Sequence, residues 1–204
     1  MQLAPQDDGL TEADIAKSKA LLRREALARR DALAAADRQA AAETIAARDF
    51  PLPVVTGVVV SGFSPLKSEI NPLPLMRRLA AAGARLALPV VAGRGKPLIM
   101  RMYAFGQPLV AGVWGIREPA TDAHEVEPDI LLVPLAAFDR RGNRIGYGAG
   151  YYDMTINRLR GLKTVTAIGL AYAAQEVPSV PTTPRDARLD LVLTEREAID
   201  CRGS

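Results

Sequence analysis

One cysteine, one histidine and one tryptophan are spread over the 204 residues of this chain. Cys201 alone cannot form a disulfide framework or a cysteine metal site. His124 alone would have to carry any histidine-based dyad, and it lies in the acidic segment TDAHEVEPD, which reads as an exposed loop. Aromatic residues are only 5 % of the chain and are not interleaved with the arginines, so there is no base-stacking pattern and nucleic acid is not an expected partner. No apolar run is long enough to cross a bilayer, and the N-terminus has no signal-peptide core. Asp7, Asp8, Glu12, Asp14, Glu25 and Asp31 also argue against a transit peptide, a class poor in acids. These absences point to a cytoplasmic protein that does not bind membranes. The standard phosphate motifs, G-x-x-x-x-G-K-[ST] and G-x-G-x-x-G, are missing too.

What remains is an ordinary globular composition, 49 % apolar and 24 % charged, in a length that suits one domain with a proper core. The net charge of +3 favours an anionic ligand without requiring one. Residues 1–11 read as a loose tail and 12–204 as a single domain. From Glu12 to about Arg48 the chain is rich in Ala, Leu, Arg and Glu with no Gly or Pro, which predicts one long helix or two broken near Ala36–Asp37. VVTGVVVSGF, ARLALPVV, PLIMRMY, PDILLVPLAAFD, TVTAIGLAY and LDLVLTE read as strands, PLIMRMY near an edge. NPLPLMRRLAAAG and AGYYDMTINRLRGL read as helices between them. Strands apolar on both faces, alternating with helices, predict an α/β three-layer sandwich with a mostly parallel central sheet.

The most unusual stretch is RRGNRIGYGAGYYD, Arg140 to Asp153. It follows a strongly apolar strand and opens a helix, so it lies at a strand's carboxyl end, where α/β sheets gather ligands. Its glycines let backbone N–H groups approach a phosphate, and the helix start adds partial positive charge. Arg140, Arg141 and Arg144 would add formal charge. The alternative is a tight turn flanked by solvated arginines. Three further features are open in the same way. Lys19 and Arg23 share a helix face, with Arg30 two turns on, either solvated or set over phosphates. Glu69, in SPLKSEINP, is either a loop acid or a ligand contact. Asp153, Asp186 and Asp190 are either solvated or a source of the one or two carboxylates that nucleotide-bound magnesium needs.

These features in this order resemble the 5-formyltetrahydrofolate cyclo-ligases, also called 5,10-methenyltetrahydrofolate synthetases. The resemblance rests on KALLR (Lys19 to Arg23), SEIN, WGIREP, FDRRGNRIGYGAGYYD and RDARLDLVLTE. It implies a magnesium-dependent ring closure in which 5-formyltetrahydrofolate and ATP give 5,10-methenyltetrahydrofolate, ADP and phosphate. The formyl oxygen would take the γ-phosphoryl group and folate nitrogen 10 would then displace phosphate. By the same resemblance Lys19 and Arg23 are ATP contacts. Arg144, Ile145, Gly146, Tyr147, Gly148, Ala149, Gly150, Tyr151 and Tyr152 form the ATP-binding loop, with Lys19 and Arg144 serving the catalytic step. Asp153 and Asp190 match the magnesium ligands, and Ser64 and Glu69 the folate pocket. Phe63, Tyr151 and Tyr152 either stack on a ligand ring or simply pack.

The chain departs from some members at Tyr147 and Ala149, where those carry Arg and Lys, at Ser68, where an acid is common, and at Arg185, where a histidine is. The partners implied are small molecules, with a monomer or weak dimer as the working unit. Two other functions fit a chain of this class: a different enzyme on a similar scaffold, such as a sugar-phosphate isomerase or acyl-CoA transferase, and a non-catalytic folate or nucleotide binder.

Overall fold

A computed structural model describes residues 11–203, apart from the side chain of Trp114. The expected tail lies outside the described residues except for Thr11, which belongs to the fold. Its hydroxyl accepts from the Asp14 amide while the Asp14 carboxylate accepts from the Thr11 amide, a reciprocal cap. In chain order the elements begin with α1 (Glu12–Asp31), α2 (Ala35–Ala47), β1 (Val59–Ser61), α3 (Leu73–Ala81), β2 (Arg85–Val90) and β3 (Ile99–Tyr103). Then come β4 (Leu109–Ala111), β5 (Arg117–Pro119), β6 (Ile130–Pro134), β7 (Ala137–Phe138) and β8 (Arg144–Ile145). The chain ends with α4 (Tyr151–Arg160), β9 (Thr166–Leu170), β10 (Leu191–Leu193) and β11 (Ala198–Asp200).

Seven strands form the central sheet in the order β11-β10-β9-β6-β1-β2-β3. The five inner strands pair parallel, and antiparallel β3 and β11 close the two edges. Period-two alternation explains the runs that are apolar throughout. Val60, Ile130, Leu132 and Ile168 point to the face covered by α2 and α3, while Val59, Leu131, Val133 and Ala167 point to the face covered by Ile156 and Leu159 of α4. The expected sandwich with a mostly parallel sheet is therefore observed.

The helical N-terminus breaks at Ala32–Ala34, not at Ala36–Asp37. No Gly or Pro marks the break. It is held by Arg38, whose guanidinium donates to the Leu33 carbonyl, and Asp37 falls in the first turn of α2, where an acid suits the helix dipole. Helix α1 does not cover a sheet face. Ala26 packs with Ala137, Ile145, Val177 and Val180, so α1 lies over the segments that leave β6 and β9 at their carboxyl ends. Two small antiparallel pairs, β4–β5 and β7–β8, were not anticipated.

Candidate active site

A cavity of about 400 Å³ opens just past the carboxyl ends of β1, β2 and β6. It collects Lys19 and Arg23 from α1, Ser64 and Glu69 from the segment after β1, and the whole stretch from Arg144 to Asp153. Asp186 also lines it; Asp190 does not.

The glycine-rich stretch divides into two parts with different work. Its first half is the β7–β8 hairpin, closed by Asp139, whose carboxylate accepts from the amides of Arg141, Asn143 and Val180. Gly142 turns there at φ 82°, and a Cβ on it would sit 2.4 Å from the Leu189 carbonyl oxygen. Arg140 is aimed away from the cavity at Glu176 and Glu197, and Arg141 at Asp139 and Ser179, so neither joins the anion cradle expected of them. Arg144 does. It is buried, its Nη2 donates to Asp153 Oδ1 at 2.9 Å, and its buried Nε has no partner among the described residues.

The second half is open. Gly148 (φ 102°) and Gly150 (φ 70°) hold left-handed backbone that a side chain would strain, and a Cβ at either would meet nothing within 4 Å. The amides of Gly148, Ala149 and Gly150 make no hydrogen bond among the described residues. Gly150 is the N-cap of α4 and no side chain caps that helix, so its first turn presents donors and a positive dipole end to the cavity. This is the physical make-up of an anion site.

Helix α1 supplies the remaining cations. Lys19 Nζ meets Asp186 Oδ2 at 2.5 Å, and Arg23 Nε donates to the Gly146 carbonyl at 2.7 Å. Burial pushes the Asp186 carboxyl up, but Lys19 and the Thr183 amide and hydroxyl outweigh it and hold the group below its ordinary range. Arg30 is 3 % exposed; its Nε donates to Ser68 and its Nη1 donates to the Tyr147 hydroxyl at 2.5 Å. The positions that depart from the related sequences, Ser68 and Tyr147, are thus joined through one buried guanidinium from α1.

Part of the lining is apolar, formed by Pro89, Val91, Leu98 and Ile116. Ser64 ties this wall to the β1 segment by donating to the Arg117 carbonyl at 2.6 Å. Glu69 Oε2 accepts from the Leu66 amide at 2.7 Å, across a turn in which Lys67 has φ 52°. Burial raises the Glu69 carboxyl above its ordinary value, against weaker opposing pulls from Tyr147, Leu66 and Arg30. Tyr152, nearby, has a buried hydroxyl without a hydrogen-bond partner among the described residues and a phenol pushed well up by burial. Phe63 is part of the packed core as well as the cavity lining. His124 is exposed and away from the cavity.

Residues 15–195 match the model of the 5-formyltetrahydrofolate cyclo-ligase family. The chain belongs to that family. Cyclo-ligases of Mycolicibacterium smegmatis and Escherichia coli K12 are each 35 % identical to it, over 71 % and 70 % of this chain and 77 % and 80 % of theirs. The solved 5,10-methenyltetrahydrofolate synthetase of Aquifex aeolicus superposes with a TM-score of 0.73 at 28 % identity, covering 90 % of this chain and 93 % of that one. The Mycoplasma pneumoniae synthetase shares the fold, with a TM-score of 0.66 at 23 % identity over 87 % of this chain and 98 % of that one.

Within this cyclo-ligase fold, Asp190 is not brought to the site. Its Oδ2 accepts from Arg160 of α4 and from the Ala167 amide at the start of β9, which pins it between helix and sheet. Asp186, four residues earlier in RDARLDLVLTE, is the acid the cavity receives. No group of three or more His, Cys, Asp or Glu that could hold a metal exists among the described residues. A magnesium ion carried in by phosphates needs fewer, and Asp153 and Asp186 fit that lesser demand. Asp153 Oδ1 is occupied by Arg144 and the Ala187 amide, while Oδ2 has no hydrogen-bond partner among the described residues. The sequence reading also passed over one acid within WGIREP: Glu118, on β5, lines the apolar wall.

Proposed function

We propose that the protein catalyses the ATP- and magnesium-dependent conversion of 5-formyltetrahydrofolate to 5,10-methenyltetrahydrofolate, with release of ADP and phosphate. The observation that carries this reading is the polarity of one cavity. Lys19, Arg23, Arg144, the amides of residues 148–150, which make no hydrogen bond among the described residues, and the uncapped start of α4 share its lining with Pro89, Val91, Leu98 and Ile116 and with the acids Glu69 and Glu118. Triphosphate suits the first set of groups. A flat, donor-rich pterin suits the second.

Phosphoryl transfer to a formyl oxygen needs positioning and charge neutralisation more than a protein nucleophile. Lys19 and Arg144 would bear on the transferred group, and Arg23 would fix the loop through Gly146. The glycine amides and the α4 dipole would hold the remaining phosphate oxygens. Glu69 would accept a hydrogen bond from the folate and orient nitrogen 10 toward the activated carbon, while Ser64 and the apolar wall exclude water from it. Asp153 and Asp186 are the carboxylates that would hold magnesium, in place of the pair with Asp190. Magnesium, when bound, neutralises charge on the phosphate oxygens. Lys19, paired with Asp186 at 2.5 Å in the ligand-free protein, would turn to the nucleotide phosphates. No helix among the described residues is long and apolar enough to cross a membrane, and the working form proposed is a cytoplasmic monomer or weak dimer.

Incubation with 5-formyltetrahydrofolate, magnesium and ATP tests the reading. Methenyl absorbance should grow together with ADP, and omission of ATP should abolish both. Tight folate binding without methenyl product would instead mark a sequestering protein.

A further inference from the structure

Glu118 is 6 % exposed, yet its carboxylate lines the cavity. It makes no ion pair within 4 Å among the described residues, unlike Asp186 and Asp153, which pair with Lys19 and Arg144. Oε1 accepts a long hydrogen bond from the Val91 amide at 3.2 Å, and Oε2 accepts none among the described residues. A buried carboxylate with no cation and one long hydrogen bond among the described residues is costly to keep unless something else pairs with it.

The fold makes specific room for this group. Gly112 lies directly behind it, and a Cβ there would fall 2.1 Å from the carboxyl carbon and 2.2 Å from Oε2. Gly112 has φ −92°, which any residue adopts, so only the carboxylate requires glycine at that position. Val91, Pro89, Leu98 and Ile116 line the same cavity as Glu118, an apolar surface that suits a flat ring.

We propose that Glu118 is a second folate-reading acid, its carboxylate fork accepting hydrogen bonds from the 2-amino group and N3–H of the pterin ring. This rests on the cyclo-ligase reading. Those two donors are adjacent on one ring edge and match the two oxygens of a carboxylate. Adenine offers a donor beside an acceptor at the corresponding edge, and a phosphate would be repelled. Glu118 therefore orients the substrate, with the pterin edge at the apolar end and the formyl group toward the phosphates.

The test is steady-state kinetics on the full-length wild type, Glu118→Gln and Gly112→Ala, with 5-formyltetrahydrofolate and with its analogue carrying 2-methyl in place of 2-amino. The wild type should discriminate against the analogue. Glu118→Gln should raise the KM for the natural folate roughly ten- to hundredfold, leave the KM for ATP unchanged, and reduce the discrimination toward one. Gly112→Ala, which replaces no cavity-lining side chain, should do the same by displacing the carboxylate. The melting temperature of Glu118→Gln should hold or rise, because an unpaired buried charge has gone. An unchanged folate KM, discrimination equal to wild type, or an equal rise in the KM for ATP would overturn the assignment. A collapse in melting temperature would overturn it too, by making Glu118 a structural group. If the wild type forms no methenyl product, the cyclo-ligase reading falls and Glu118's role with it; if it does and the variants match it, only the role of Glu118 falls.

Discussion

Lys19 and Asp186 form an ion pair in the cavity lining, and in the proposed reaction the ammonium would serve the nucleotide and the carboxylate the metal. Lys19→Ala should therefore raise the KM for ATP ten- to hundredfold, about 1.5–3 kcal/mol for a charge-assisted contact, with the KM for folate unchanged. A KM for ATP like that of wild type would reduce Lys19 to a counter-ion of Asp186. The three aspartates separate by a magnesium titration read beside a melting curve. Asp153→Asn and Asp186→Asn should shift half-saturation to higher magnesium. Asp190→Asn should leave that titration in place and lower stability by about 1–3 kcal/mol, since Asp190 joins Arg160 to β9. Glu69 carries a pH dependence of definite sign. Its carboxyl is raised by burial, and in the proposed role the ionised form would accept from folate, so kcat/KM for folate should fall with decreasing pH from above the ordinary glutamate range. Glu69→Gln should remove that acid limb. For the ligand-free protein the sign reverses. A raised carboxyl pKa makes stability fall as pH rises through it, so the same variant should be slightly more stable at neutral pH.

Two glycines of one loop should respond in opposite ways at the scale of the element. Gly148→Ala puts a side chain on backbone at φ 102° in open space, costing roughly 1–2 kcal/mol of local strain where phosphate must approach. Turnover should drop tenfold or more, while the melting temperature falls by no more than the several degrees that this strain implies. Gly142→Ala drives a Cβ into the Leu189 carbonyl and should lower the melting temperature first. The reverse pattern would mean that the second half of the loop only shapes a turn. The contrast also shows what the sequence made legible. Glycine and arginine density marked the loop, but not that Asp139 folds its first half into a hairpin and turns Arg140 and Arg141 outward. The inner strands were readable because runs such as ILLVP are apolar at every position, which only a strand covered on both faces needs. Strands of two or three residues, such as β4, β5, β7 and β8, carry too little periodicity to be read. The break after α1 lacks the Gly or Pro that would announce it. Asp186 and Asp190 look alike in RDARLD; what separates them is the register that pairs Leu191 with Ile168 and sets Asp190 against the start of β9.

Across the whole molecule, the sheet fixes the acid-bearing wall and the glycine loop at the carboxyl ends of its strands, and α1 lies over them as a strap from outside the sandwich. Ala26 anchors that strap on the β7–β8 hairpin, Arg23 and Arg30 tie it to Gly146 and Tyr147, and Arg29 donates to the Ala174 carbonyl at 2.7 Å. Cationic charge therefore reaches the loop from a neighbouring helix. One cavity with a phosphate end and a folate end is the claim on which the account stands. Calorimetry tests it most directly, by titrating 5-formyltetrahydrofolate into the protein already saturated with magnesium and a non-hydrolysable ATP analogue. The account predicts one folate bound per chain with the nucleotide still in place, and the same result with the order of addition reversed. Mutual displacement of the two ligands would contradict it.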